Sequence, residues 1–288
     1  MKRKYGWLRD YSDVRDYSPE QEEIKNNLQR LKYNPLEASK LNTKIDLSSW
    51  CSPIEHQSDL GSCTAHAGVG LIEYFENRAF GKHLNASRLF LYKVTRNFMQ
   101  VSGDTGAYLR STMAAMTLFG VPPEKYWPYD IAYFEDEPTA FCYSFAQNFQ
   151  SIRYFHLDPY GIGSKDLLMR IKSFLKSGFP SMFGFSVYSS IYQAEINGGR
   201  IPFPSTRGDR FEGGHAVIAI GYDDGLVIEN EYDNTKTTGA FMIRNSWGED
   251  WGEKGYGWLP YDYLHHGIAS DWWTLLKAEY IDTGKFEY

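Results

Sequence analysis

Cysteine is scarce in this chain. Only Cys51, Cys63 and Cys142 occur in 288 residues, so no dense disulfide framework holds the fold and a buried core must do so. At most one bridge can form. Long apolar runs are also missing: no stretch approaches the roughly 18 consecutive apolar residues that a membrane helix needs. The opening Met1-Lys2-Arg3-Lys4-Tyr5-Gly6-Trp7 lacks the apolar region of a signal peptide. Runs of lysine or arginine are absent, and 30 basic against 36 acidic side chains leave a net charge of −6, which argues against a nucleic-acid partner. The chain shows no phosphate-cradling glycine loop. No histidine or cysteine pair has zinc-ligand spacing, since His265 and His266 are adjacent rather than one turn apart, so no metal or other cofactor is expected. The expectation from these absences is a cytoplasmic monomer that binds neither nucleic acid nor membrane.

Aromatic residues are plentiful, at 17% of the chain. They suit core and lobe-interface packing better than a cleft lined with Tyr and Trp, although both uses are open. The length suffices for one large or two modest globular units.

Residues 1–45 read as an extension with one amphipathic helix. Ser18 is placed to cap it, Pro19 suits its first position, and Gln21 completes a capping box. Ile24, Leu28 and Leu31 then form a narrow apolar stripe that must dock on something. Asn34-Pro35 ends the pattern, and Ile45 to Trp50 reads as a short extended run. The main domain is expected over 46–288. A helix should begin after Gly61-Ser62 with Ser62 as cap and Ala65, Val69 and Ile72 inward. Two more helices are expected between Ser87 and Leu118, around the loop Ser102 to Gly106. After about residue 151 the pattern changes to one helix, Lys165 to Lys176, and short β-rich runs at Phe183 to Val187, Ala216 to Ile220 and Ala240 to Ile243. Asp223-Asp224-Gly225 reads as a turn between runs. The fold class is therefore α+β, helices first and a sheet or barrel after.

Among candidate catalytic groups, Cys63 stands in the first turn of a helix, where unpaired N–H groups favour thiolate over thiol. Gln57, six residues earlier, can aim an amide donor above the sulfur, and with the Cys63 N–H it would make the two donors of an oxyanion hole. Seven histidines compete for the role of base. His66 shares the Cys63 helix but sits at its positive end, and His56 has no orienting partner nearby. His215, after Gly213-Gly214 and at the head of a strand, has a rigid mount. Asn245 ends another strand and can hold the second imidazole nitrogen, with Trp247 shielding that bond from water. Taken singly, Gln57 also fits a loop amide and Asn245 a turn residue.

Together, Gln57, Gly61-Ser62-Cys63, His215 and Asn245-Ser246-Trp247-Gly248 resemble the papain family of cysteine peptidases. Trp251, Gly252, Gly255 and Tyr256 extend the match, and the Gly6-Trp7 start with the Asp-rich segment after it is similar to microbial xylellain-like members. The resemblance implies a two-lobed fold, a helical lobe over about 46–150 and a β-barrel lobe over about 151–275. Cys63 and His215 would stand on opposite walls of the cleft between the lobes. It implies a thiol protease that cleaves peptide or protein substrates through a thioester on Cys63. Gly106, Gly214 and Trp247 would contact substrate, and residues 1–45 would act as a zymogen-like segment in the cleft. Three departures are visible: Leu60 stands where many members have a disulfide cysteine, Thr64 where Trp is usual, and Gly214 where plant relatives often have Asp. If Cys63 is the nucleophile, Cys51 and Cys142 are either the remaining pair or two free thiols. An acyltransferase and a non-catalytic peptide binder are the alternative readings.

Overall fold

The computed structural model describes residues 3–11, 13–30, 41–149, 153–277 and 283–285. Near the N-terminus, β1 (Trp7–Leu8) precedes α1 (Glu22–Arg30). The expected start at Ser18 is displaced because the chain first closes a turn there, with the Gln21 N–H donating to the Ser18 carbonyl at 3.2 Å. Ile24 and Leu28 point inward and join the main core. Leu31, Asn34 and Pro35 lie outside the described residues.

The extended run expected from Ile45 to Trp50 is shorter. After β2 (Lys44–Asp46) the Asp46 carboxylate accepts the Ser48 N–H at 2.8 Å, starting a 3-10 turn over Ser48–Trp50. The long α2 (Cys63–Phe80) ends at Gly81, whose φ of 66° lets its N–H reach the Asn77 carbonyl. Ser62 occupies the cap position without capping, as its hydroxyl is spent on the Tyr129 hydroxyl at 2.6 Å. Ser87, by contrast, caps α3 (Arg88–Phe98) by accepting the Phe90 N–H. Then come β3 (Ala107–Tyr108), α4 (Leu109–Phe119) and α5 (Ala140–Ala146).

The second half contains β4 (Arg153–His156), α6 (Ser164–Lys176), β5 (Ser181–Tyr188), β6 (Phe211–Glu229), β7 (Lys236–Arg244), β8 (Tyr256–Pro260), α7 (Tyr261–His265) and β9 (Ala269–Leu276). One antiparallel sheet runs in the order β4-β9-β5-β6-β7-β8, and β2 adds to β6 with Ile45 opposite Tyr222. Among the described residues its end strands do not pair, so of the sheet or barrel expected it is an open sheet, and the α+β class holds. Asp223-Asp224-Gly225 is not a turn between strands. β6 passes through it with a shift of register between Asp223 and Val227. The Asp223 carboxylate accepts the Gly225 N–H at 2.9 Å, so the local chemistry of a turn is satisfied inside a bulge.

A single core links the halves. The helix α2 is buried on nearly every side and packs against β6; at Gly70 a Cβ would come within 2.7 Å of the side-chain ends of both Ile218 and Arg244, so a larger residue there would have to displace them. Trp272 stacks on Phe183 at 3.9 Å between ring centres, and each large buried apolar side chain of this kind contributes roughly 1.5–3 kcal/mol. Trp7, Ile24 and Leu28 belong to the same core, so the N-terminal segment is packed into the domain. Cys51, Cys63 and Cys142 are all free thiols.

Candidate active site

Cys63 is the first residue of α2 and is fully buried. The backbone N–H groups of Ala216, Gly6, Thr64 and Cys63 itself lie close enough to the sulfur to favour its thiolate. The Ala216 contact places it beside His215, which β6 carries opposite Phe185 of β5. Pairing of Ile218 with Arg244 brings the end of β7 alongside, so Asn245 faces the imidazole. His215 Nε2–H donates to Asn245 Oδ1 at 2.8 Å, and the same oxygen accepts the Ser246 N–H at 2.8 Å, which fixes the amide. The neutral imidazole then keeps Nδ1 as its basic nitrogen, and that atom is buried without a hydrogen-bond partner. Trp247 stacks on His215 with centres 4.5 Å apart, covering the His–Asn bond as expected.

Gln57 is held from both ends of its amide. Its Oε1 accepts the Ser246 hydroxyl at 2.7 Å, which leaves Nε2 to donate to the Leu60 carbonyl at 2.9 Å and to the Lys4 carbonyl at 3.1 Å. The second of these acceptors belongs to the chain's own N-terminal segment, which threads the cleft. Arg3 lies 4.2 Å over the Trp247 ring and pairs with Glu195 at 2.7 Å. Tyr5 meets His215 edge-on at 6.2 Å. The Gly6 carbonyl accepts the Ala107 N–H at 2.8 Å, and β1 pairs in parallel with β3. A Cβ on Gly6 would lie 1.8 Å from the Gly61 carbonyl oxygen, so only glycine passes this point.

Burial in this form outweighs the helix end. Desolvation lifts the Cys63 thiol to about 11, the reverse of the expected preference for thiolate, although the surrounding N–H groups oppose it. Desolvation likewise lowers His215 to about 4, helped by Arg3 and opposed by the Asn245 bond. Burial thus favours the neutral form of both thiol and imidazole while the segment is in place.

The rival histidines are otherwise engaged. His66 is buried, bonds the Ser62 carbonyl through Nδ1 at 3.0 Å and is pushed well below its usual pKa by burial. His56 Nδ1 accepts the Ser58 N–H at 2.8 Å. Of the residues expected to contact substrate, Gly106 lies under Gly6 and Gly214 under Trp7, where a Cβ would come within 2.2 Å of the Gly6 carbonyl oxygen and 2.4 Å of that of Trp7 respectively. Trp247 carries Arg3. Sequence reading missed the Ala107 N–H as the donor of this loop, and it missed Tyr129, whose hydroxyl donates to the Gln57 carbonyl at 2.8 Å. It also missed Asp271, which accepts the Trp7 indole N–H at 2.9 Å. Nothing around Tyr129 or Asp271 marks either in the sequence; only the Gly6-Trp7 pair gave a signal.

A family model described as papain family cysteine protease matches residues 41–274. The fold resembles that of xylellain, a cysteine protease from Xylella fastidiosa, with a TM-score of 0.73 and 32% identity over 96% of this chain and 97% of that one. An uncharacterized peptidase C1-like protein of Acanthamoeba polyphaga mimivirus is 33% identical over 77% of this chain and 69% of its own length. The thiol protease aleurain of Arabidopsis thaliana is 26% identical over 76% of this chain, which spans 55% of that protein.

Proposed function

The chain belongs to the papain family of cysteine proteases, and from that premise we propose that it hydrolyses peptide bonds through Cys63, with residues 3–8 holding it latent. In the open form water reaches the pair and the costs of charging it fall, so the Cys63 proton passes to His215 Nδ1. The thiolate sulfur attacks the peptide carbonyl carbon, and the new oxyanion is taken by Gln57 Nε2–H and the Cys63 N–H. His215 returns the proton to the leaving amine, leaving a thioester. It then takes a proton from water, whose oxygen releases the acid and restores the thiol. Asn245 keeps Nδ1 aimed at the sulfur throughout, since it can bond only Nε2–H.

The observation that carries this reading is the convergence of Cys63, the Asn245-held His215 and Gln57 on one buried point that residues 4–7 already occupy. Latency follows from the same contacts. The Lys4 carbonyl takes the Gln57 donor and the Gly6 N–H lies near the sulfur, so the strand stands where a substrate would meet the nucleophile.

Gly6→Val in the full chain tests both parts, because its side chain has no room beside Gly61. Intact mass after exposure to a thiol-directed epoxide peptide should show slow labelling of the wild type, fast labelling of Gly6→Val, and none of Cys63→Ala. Gly6→Val should also hydrolyse fluorogenic peptides. A folded Gly6→Val that neither labels nor hydrolyses peptides would overturn the proposal. Labelling with acyl transfer to an added amine in place of hydrolysis would make the chain a transferase.

A further inference from the structure

Behind the site, three side chains outside the catalytic set, Ser62, His66 and Tyr129, join the two oxyanion donors. The Ser62 carbonyl and the Cys63 N–H are opposite ends of one rigid peptide plane. That carbonyl accepts the His66 backbone N–H of α2 at 3.1 Å, and the His66 side chain adds a second contact through Nδ1 at 3.0 Å. A carbonyl can only accept, so Nδ1 carries the ring proton. His66 is 3% exposed, and burial holds its ring neutral, well below the usual pKa. Nε2 is then a buried bare nitrogen without a partner among the described residues.

The other donor is reached through Tyr129. Its hydroxyl donates to the Gln57 carbonyl at 2.8 Å, so it must accept the Ser62 hydroxyl, 2.6 Å away. Ser62 Oγ is in turn 3.3 Å from His66 Nδ1. Each proton in this run has one assignment, from His66 through Ser62 and Tyr129 to Gln57. Burial raises the Tyr129 phenol above its usual value, which keeps its single proton in place. The ring itself is fixed: His66 meets it edge-on with centres 4.9 Å apart, Arg88 lies 5.9 Å over it, and the Tyr129 N–H donates to Glu124 Oε1 at 2.7 Å. Arg88 is held by ion pairs to Glu55 and Glu124 at 2.9 and 3.0 Å.

Building on the peptidase reading above, we propose that His66 and Tyr129 are positioning residues for the oxyanion hole. His66 fixes the peptide that carries the Cys63 N–H, and Tyr129 fixes the backbone from which the Gln57 amide extends. Neither touches the reacting atoms. Such a hole works because its donors are aimed before charge develops, so a loosened donor slows the tetrahedral step and leaves substrate binding unchanged. Iodoacetamide supplies the contrast. The Cys63 sulfur bonds its saturated carbon and iodide leaves with the electron pair, so no oxyanion forms.

The test takes full-length Gly6→Val as parent and adds Tyr129→Phe or His66→Phe, each of which keeps an aromatic ring and removes the donor. Each should lower kcat for a fluorogenic peptide about tenfold, less than the roughly 10²–10³ of losing an oxyanion donor outright. KM and the rate of Cys63 alkylation by iodoacetamide should stay at the parent's values. On top of Gln57→Ala, Tyr129→Phe should cost kcat far less than it does alone, because the amide it aims is gone. Parental kcat in both variants, a loss that multiplies in full with Gln57→Ala, or kcat and alkylation falling together overturns the inference and leaves the peptidase reading intact. Failure of both variants to fold overturns it as well, since the contacts would then serve stability. A folded parent that cleaves no peptide instead overturns the peptidase reading, and this inference with it.

Discussion

Trp7→Ala measures how firmly the N-terminal strand is held. The indole is 6% exposed, and an aromatic side chain buries about 150–250 Å², which at about 25 cal/mol per Å² is roughly 4–6 kcal/mol. Its hydrogen bond to Asp271 adds about 0.5–1.5 kcal/mol with the carboxyl neutral and about 1.5–3 kcal/mol with it ionised. Hydration of the vacated slot offsets part of this sum, and measured truncations of buried Phe and Trp cost about 3–5 kcal/mol. Taking the lower figure, about 3 kcal/mol, the open fraction rises roughly a hundredfold, since about 1.4 kcal/mol is a factor of ten. When the strand recloses faster than the epoxide reacts, labelling of Cys63 tracks that fraction. Trp7→Ala should therefore label about a hundredfold faster than wild type, up to the ceiling set by Gly6→Val. Trp7→Phe keeps most of the area but loses the N–H, and should rise about tenfold, as the loss of about 1.5 kcal/mol implies. Wild-type labelling rates in Trp7→Ala, together with a large drop in Tm, would refute the reasoning, because Trp7 would then support the whole fold rather than the strand.

Two further outcomes follow from the same geometry. In the Gly6→Val background, Gln57→Ala should lower kcat by about 10²–10³ with a much smaller change in KM, as removal of one oxyanion donor does; a change confined to KM would assign Gln57 to substrate binding instead. Burial lifts the carboxyls of Asp10, Asp271 and Asp158 to about 6, 7 and 8, above the unfolded value of about 3.9. The folded state then binds these protons more tightly, so their contribution to stability is full below the unfolded value and is lost as pH rises through the folded ones. Thermal melts from pH 5 to pH 8 should show Tm falling from this source, with a shallower fall in Asp271→Asn; equal slopes would count against the cluster.

What sequence alone could reach was whatever short-range chemistry decides. The spacing of Ala65, Val69 and Ile72 marks the buried face of a helix after Ser62, and the period of Ile24 and Leu28 marks another wherever that helix docks. Cys63, His215, Asn245 and Gln57 could be singled out because, taken together with their neighbours, they resemble the papain-family set; singly each also fits an ordinary structural role, and His215 lies inside β6 rather than at the strand head expected. Where local chemistry has two outcomes, sequence was ambiguous. The Asp223 carboxylate satisfies the Gly225 N–H in a bulge as well as in a turn, and Ser62 can bond Tyr129 as readily as cap α2. Tertiary structure alone decided the direction in which the Cys63 pKa moves, because a helix end acts locally whereas the burial that outweighs it comes from the packed fold. It also decided the cluster behind the oxyanion donors: Ser62, His66 and Tyr129 carry no joint signal in sequence, and only the close approach of distant segments brings them together.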